Sequence, residues 1–198
     1  MSGTSSMDVL EHLATRRSVN ARTMVAPGPT AEQIERLVAL ATRVPDHGKL
    51  APWHVQVVTG AAQVELGDVI AAAFRADHPD AEPAQVDLEA GRPARSPVLL
   101  IVSTRTVEGG RIPVIEQLMS AGALCMNLVH AACGLGYVAQ WVTEWPAYDS
   151  RVTAALGVPL GDQVVGWIHV GSAPASHVVT ERPRPALADV MSYWAAPV

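Results

Sequence analysis

Apolar positions along the chain fall into two rhythms, one helical and one alternating. Val9, Leu10 and Leu13 recur at helical spacing, and Ser6 can cap them, so a helix is expected from Ser6 to Arg17. Thr30 and Gln33 form a capping box ahead of Ile34, Leu37, Val38 and Ala41. That helix should end near Arg43 or Val44, because Pro45 pushes its neighbour toward extended geometry. A further amphipathic helix is expected over 62–75. The longest, Pro113 to Cys133, carries a stripe of Ile115, Leu118, Met119, Gly122, Met126, Val129 and Ala132, widened by Leu124, Cys125 and Leu128. A helix apolar most of the way round belongs in a core or an interface. Gly134 and Gly136 stop it.

The strand rhythm is shorter. Val55, Val57 and Thr59 alternate with Gln56 and Val58, and Gly60 ends the run. Ser96 to Ser103 is a continuous β-branched run, the mark of a strand covered on both faces. Tyr137 to Val142 and Val164 to Val170 give two more. Between the elements lie a connector from Val19 to Pro29, a loop from Pro45 to Pro52, and a polar, proline-punctuated stretch from His78 to Arg95 that reads as a mobile excursion or lid. The tail from Glu181 to Trp194 holds Arg182-Pro183-Arg184-Pro185 and one short amphipathic turn. With no internal repeat, residues 1–198 read as one domain with helices around a mixed sheet.

Composition narrows the classes. Of 198 residues 49% are hydrophobic and only 17% charged, which suggests that some apolar surface is covered by a second copy. A net charge of −5 leaves no basic excess to displace counterions, so nucleic acid is not the expected partner. Cys125 and Cys133 stand eight apart on one helix, two turns from each other, and cannot pair. A cytoplasmic location follows as the default. Met1 to Ser6 lacks a basic stretch with an apolar run behind it, so no secretory leader is expected, and no apolar run is long enough for a bilayer.

Several chemistries lack their motif. There is no Gly-x-Gly-x-x-Gly after a strand, no phosphate-binding Gly-x-x-x-x-Gly-Lys-Ser, and no Gly-x-Ser-x-Gly elbow. His47 and His54 lie around two prolines with Asp46 adjacent, but a zinc site wants three or four ligands, so no metal is expected. Asp46 suits a loop-orienting role. What stands out is Arg16-Arg17-Ser18. Two guanidinium forks and a hydroxyl suit a phosphate, although cations closing a helix also fit its dipole. Together with Arg182, Arg184, Arg43 and His47, and with Trp53, Trp141 and Trp145 as walls, the set suits a flat phosphorylated ring.

These residues resemble the FMN-dependent nitroreductase family over nearly the whole chain. The resemblance rests on Arg16-Arg17-Ser18 after a helix, Ala41 to His47 leading to Pro52-Trp53-His54 and a strand, Glu116 with Ser120-Ala121-Gly122, Gly136 before Trp141, and Gly166 with Gly171. It is nearest the small subgroup with Pro45-Asp46-His47; Asn20 replaces an arginine found in many members.

The resemblance implies an α+β fold with a mostly antiparallel sheet, and a homodimer whose C-terminal segments are exchanged. Two FMN sites would then lie at the interface. It gives Arg16, Arg17 and Ser18 to FMN, with Arg43 and His47 reaching the other subunit's flavin. Trp141, Val142 and Thr143 would run along the ring, and Arg184, more than Arg182, would complete the phosphate site. Ala131, Ala132, Cys133, Gly134, Leu135 and Gly136 are linked by the resemblance with the nicotinamide cofactor. The activity implied is hydride transfer from NAD(P)H through FMN to a small electron-poor acceptor. A flavin store or sensor without nicotinamide turnover would use the same site.

Overall fold

The computed structural model describes residues 9–195. Seven α-helices and four strands follow one another: α1 (Val9–Thr15), α2 (Ala31–Ala41), β1 (Trp53–Val58), α3 (Ala61–Asp77), α4 (Pro83–Ala90), β2 (Val98–Thr104), α5 (Val114–Gly134), β3 (Val138–Val142), α6 (Ser150–Ala155), β4 (Val164–Gly171) and α7 (Leu187–Val190). The expected cap at Ser6 lies outside the described residues. Helix α1 stops at Thr15, so Arg16 and Arg17 stand just beyond it instead of closing it.

The sheet has the order β1-β2-β4-β3, and every pair is antiparallel. The pattern of strands and helices suggested a mixed sheet. The reason it is not mixed is that α5 carries the chain from β2 past one vacant position to β3, and β4 then returns between them. Strand β2 is buried along its whole length, as its unbroken apolar run requires. One face of the sheet packs Leu100, Val102 and Ile168 against Leu37 of α2 and Leu124 and Leu128 of α5. The other packs Leu99, Ile101 and Trp167 against Ile70 of α3 and Val152 of α6. Each such aliphatic side chain contributes about 1.5–3 kcal/mol by leaving water.

The capping box at Thr30 forms as expected: its hydroxyl accepts from Gln33 N–H, and the Gln33 carboxamide accepts from Thr30 N–H. The stretch 78–95 departs from expectation. It is no open lid: α4 lies against α3, with Val86 buried and Gly67 bringing the two backbones together. A Cβ at Gly67 would stand 2.4 Å from the Ala90 carbonyl oxygen. The polar residues that made this stretch look solvated are spent on ion pairs. Glu89 and Arg92 pair one helical turn apart, and Arg92 and Arg95 both reach Glu144 beyond β3. No helix among the described residues is long and apolar enough to cross a membrane.

Candidate functional site

Strand β3 is an edge strand, and the segment after α1 runs beside it. Val19 N–H donates to the Ala139 carbonyl at 3.3 Å, and Ala21 N–H to Gln140 Oε1 at 2.7 Å. These bonds bring Arg16, Arg17 and Ser18 alongside the strand that carries Trp141 and Val142 and leads into Thr143. Trp141 lies over Gly166 of β4, and its Nε1–H donates to the Val165 carbonyl at 3.2 Å. The β2–β4 register slips between Val102 and Ser103, next to Val165, and such bulges re-aim side chains.

The two arginines differ. Arg17 is largely committed: its Nη1 donates to the Arg16 carbonyl at 2.7 Å and to Ala14 at 3.4 Å, and its Nη2 pairs with Glu181. It therefore does serve the end of α1, as the dipole reading had it. Arg16 Nη1 is buried with no partner, as is Arg17 Nε. Buried donors left unpaired cost about 1–3 kcal/mol each, so this corner lacks an acceptor. A phosphate oxygen fits that need. The Arg17–Glu181 pair also anchors the start of the basic tail, and Arg184 follows within about 10 Å of extended chain. Arg182 and Arg184 are exposed and form no hydrogen bond or ion pair among the described residues.

The segment 131–136 is the C-terminal end of α5. Its Ala131, Ala132 and Cys133 carbonyls accept from Leu135, Gly136 and Tyr137 N–H groups. A helix end of this kind repels phosphate. Arg16 is close enough for its charge to act on His130 and Cys133. Burial, then His12, then Arg16 hold His130 below the usual histidine range. Burial pushes the Cys133 thiol up against Arg16, and the Cys125 thiol up to about 12. Both cysteines are free and poorly ionised, hence unreactive.

Arg43 and His47 are elsewhere. The loop that carries them is stitched to the middle and N-terminal turns of α5. Asn127 Nδ2–H donates to the Arg43 carbonyl at 3.1 Å, and Ser120 Oγ–H to the Pro45 carbonyl at 2.7 Å. His47 Nδ1 meets Glu116 Oε2 at 2.7 Å. Asp46 orients the loop as its sequence position suggested, accepting from Leu50 and Ala51 N–H at 3.0 and 2.9 Å. Trp53 donates to Ser120 Oγ at 3.1 Å, and Trp145 donates to Glu89 at 2.5 Å, so these two tryptophans brace the fold and Trp141 alone remains as a wall. A cavity of about 250 Å³ opens beside Pro45, His47, Glu116, Met119 and Ser120.

Cys133, beside Arg16, and Glu116, bonded to His47, are 17 residues apart on α5, which is about 25 Å. One chain therefore holds the two groups of predicted site residues at opposite ends of a helix. Among the described residues no three His, Cys, Asp or Glu side chains are grouped to hold a metal ion.

Sequence reasoning missed the polar cluster next to Val142. Burial holds His169 down to about 4, with Arg95 adding to the effect. For Glu144 burial would raise the carboxyl, but Arg92 and Arg95 outweigh it and hold it below the usual range. The Glu89-x-x-Arg92 spacing was the legible trace of this cluster.

Comparison with known proteins agrees with this arrangement. A relative from Escherichia coli (strain K12), named "Putative NAD(P)H nitroreductase YdjA", is 32% identical over 166 residues, covering 84% of this chain and 88% of its own. A Haemophilus influenzae protein named "Putative NAD(P)H nitroreductase" is 30% identical over 176 residues, covering 84% and 89%. Among solved structures, a nitroreductase-like family protein from Bacillus cereus superposes with a TM-score of 0.80 at 19% identity, covering 97% of this chain and 98% of its own. The FMN-dependent nitroreductase NfnB from Mycobacterium smegmatis, solved in complex with NADPH, gives 0.71 at 19% identity, covering 94% and 98%. Residues 13–172 match the family model described as "Nitroreductase family". The chain belongs to the nitroreductase family.

Proposed function

We propose that this protein is an FMN-dependent oxidoreductase that takes hydride from NAD(P)H and passes the electrons to a small electron-poor acceptor. The observation that carries this reading is the unpartnered, buried Arg16 guanidinium beside the edge of β3. FMN, when bound, supplies the hydride-accepting and electron-donating chemistry. Arg16 and Ser18 bind its phosphate, with Arg17 holding the segment in place through Glu181 and Arg184 closing over it from the tail. Trp141, Val142 and Thr143 line the ring. The nicotinamide approaches over the 131–136 turn, where the exposed Gly134 and Gly136 leave room for a flat ring. The absence of an acid–base pair among these residues accords with hydride transfer, which needs none.

The working unit is a homodimer in the cytoplasm, in which Arg43 and His47 complete the site of the other copy. The 25 Å between the two groups supports this, since one flavin cannot touch both. Exposed apolar side chains support it too: Val9 and Leu13 of α1, Ile115 and Met119 of α5, and Tyr193 and Trp194 of the tail. The chain exposes 12302 Å² where a compact monomer of 20.9 kDa exposes about 9,000 Å². The test is an absorption spectrum of the purified protein with each nicotinamide under anaerobic conditions. Bleaching of a yellow flavin is expected. A flavin that stays oxidised would mark a store or sensor instead, and a protein that stays colourless after incubation with FMN would refute the proposal.

A further inference from the structure

Beside Val142, a cavity of about 220 Å³ is lined by Asn20, Arg22, Arg95, Gln140, Glu144 and His169. It is built from polar groups whose hydrogen-bonding roles the surrounding network fixes. Ser96 Oγ donates its hydrogen to the Val98 carbonyl at 2.8 Å, so at 2.9 Å from His169 Nδ1 it can only accept. Nδ1 therefore carries the imidazole hydrogen, and Nε2 is a bare acceptor. Nε2 is buried and has no partner. Burial keeps His169 neutral, its acidity near 4, so this acceptor persists at neutral pH.

Donors flank it. Arg95 gives Nη1 to Glu144 at 2.5 Å and keeps a buried, unpartnered Nη2. Gln140 spends its carbonyl oxygen on Ala21 N–H, which leaves its amide hydrogens as donors. Arg22 adds a second cation close enough to act on Arg95. The lining thus offers donor, acceptor and donor, with positive charge in excess of what Glu144 neutralises. Its complement is an imide edge, a carbonyl, an N–H and a carbonyl in a row, and one that carries or gains negative charge.

We infer that this cavity seats the pyrimidine edge of the flavin, with His169 Nε2 accepting from the ring imide N–H while Arg95 and Gln140 donate to its two carbonyls. The inference rests on the FMN reading above. Its position agrees: Asn20 stands two residues past Ser18, and Gln140 and Val142 share a face of the strand assigned to the ring. The site also assigns work to the ion-pair cluster of Glu89, Arg92 and Glu144, which holds Arg95 in place at the foot of α4.

The experiment titrates the flavin-free full-length protein with FMN and with N3-methyl-FMN, which lacks the imide hydrogen, following flavin fluorescence. The expected result is that N3-methyl-FMN binds at least tenfold more weakly, and that His169→Leu brings the two affinities together by weakening FMN. Should His169→Leu fail to fold, the ratio in the unsubstituted protein decides by itself. Equal affinities there mean that the cavity holds only water, which overturns the inference and leaves FMN binding intact. Binding of neither flavin overturns the parent reading.

Discussion

Gly166→Ala probes the seat of Trp141. A Cβ at this position would lie 2.1 Å from Trp141 Nε1 and 2.6 Å from Cδ1, whereas ordinary contact begins at 3.4 Å. The indole must therefore retreat by more than 1 Å, and its 3.2 Å bond to the Val165 carbonyl breaks. Overpacking of this size costs about 1–3 kcal/mol, partly offset by the lower chain entropy of Ala in the unfolded state. For a chain of this length that is a fall in Tm of about 3–10 °C, read by calorimetry on the flavin-free protein. Trp141 is 36% exposed and can swing outward, so the fold survives while the wall of the proposed flavin site is displaced. FMN affinity should drop with stability. The decisive control is the double variant with Trp141→Ala, in which the clash is gone and the cost of Gly166→Ala shrinks toward zero. An undiminished cost in that background would refute the assignment of the clash.

Other consequences are equally direct. Arg16→Ala should weaken FMN binding by about 2–4 kcal/mol, roughly 30- to 1,000-fold in a fluorescence titration, whereas Arg17→Ala should mainly lower stability because that guanidinium is already bonded to the chain. Gly67→Ala sets a methyl 2.4 Å from the Ala90 carbonyl oxygen, where only backbone can yield. Urea unfolding should register a loss of about 3 kcal/mol, and an unchanged midpoint would mean that α4 is not docked. Because His169 is held near 4 from an ordinary 6.5, the unfolded chain takes up its proton first as pH falls. This contribution to stability, about 3 kcal/mol, is present above pH 6.5, is lost between 6.5 and 4, and changes no further below. His169→Leu should flatten that slope in urea unfolding; His54 and His130, depressed in the same direction, leave part of it.

Much of the fold was legible because it obeys local rules. The Thr30–Gln33 box, the proline after α2, the apolar sweep of α5 and the glycines behind it each act within a few residues. The antiparallel sheet was not legible from periodicity, since a strand-and-helix alternation looks alike whether or not a later strand returns between its neighbours. The stretch 78–95 was misread because its charges find partners far along the chain: Glu144 is 49 residues beyond Arg95. The same holds in the site. Arg16 and Ser18 could be named from residue type alone, but the tie between Arg17 and Glu181, the tautomer of His169 and the bracing roles of Trp53 and Trp145 are set by tertiary contacts.

Helix α5 has one more consequence. Damage at its C-terminal end and damage near its N-terminal end impair different copies of the site. If each site draws Arg16 from one chain and His47 from the other, an Arg16→Ala chain paired with a His47→Ala chain concentrates both lesions in one site and leaves the other whole. Two inactive preparations, unfolded together and refolded as a mixture, should then regain about a quarter of full activity, since random pairing makes half of the dimers mixed and each of these has one sound site. The rigid length of a single helix thereby becomes a genetic property: mutations in this protein sort into two groups that rescue each other.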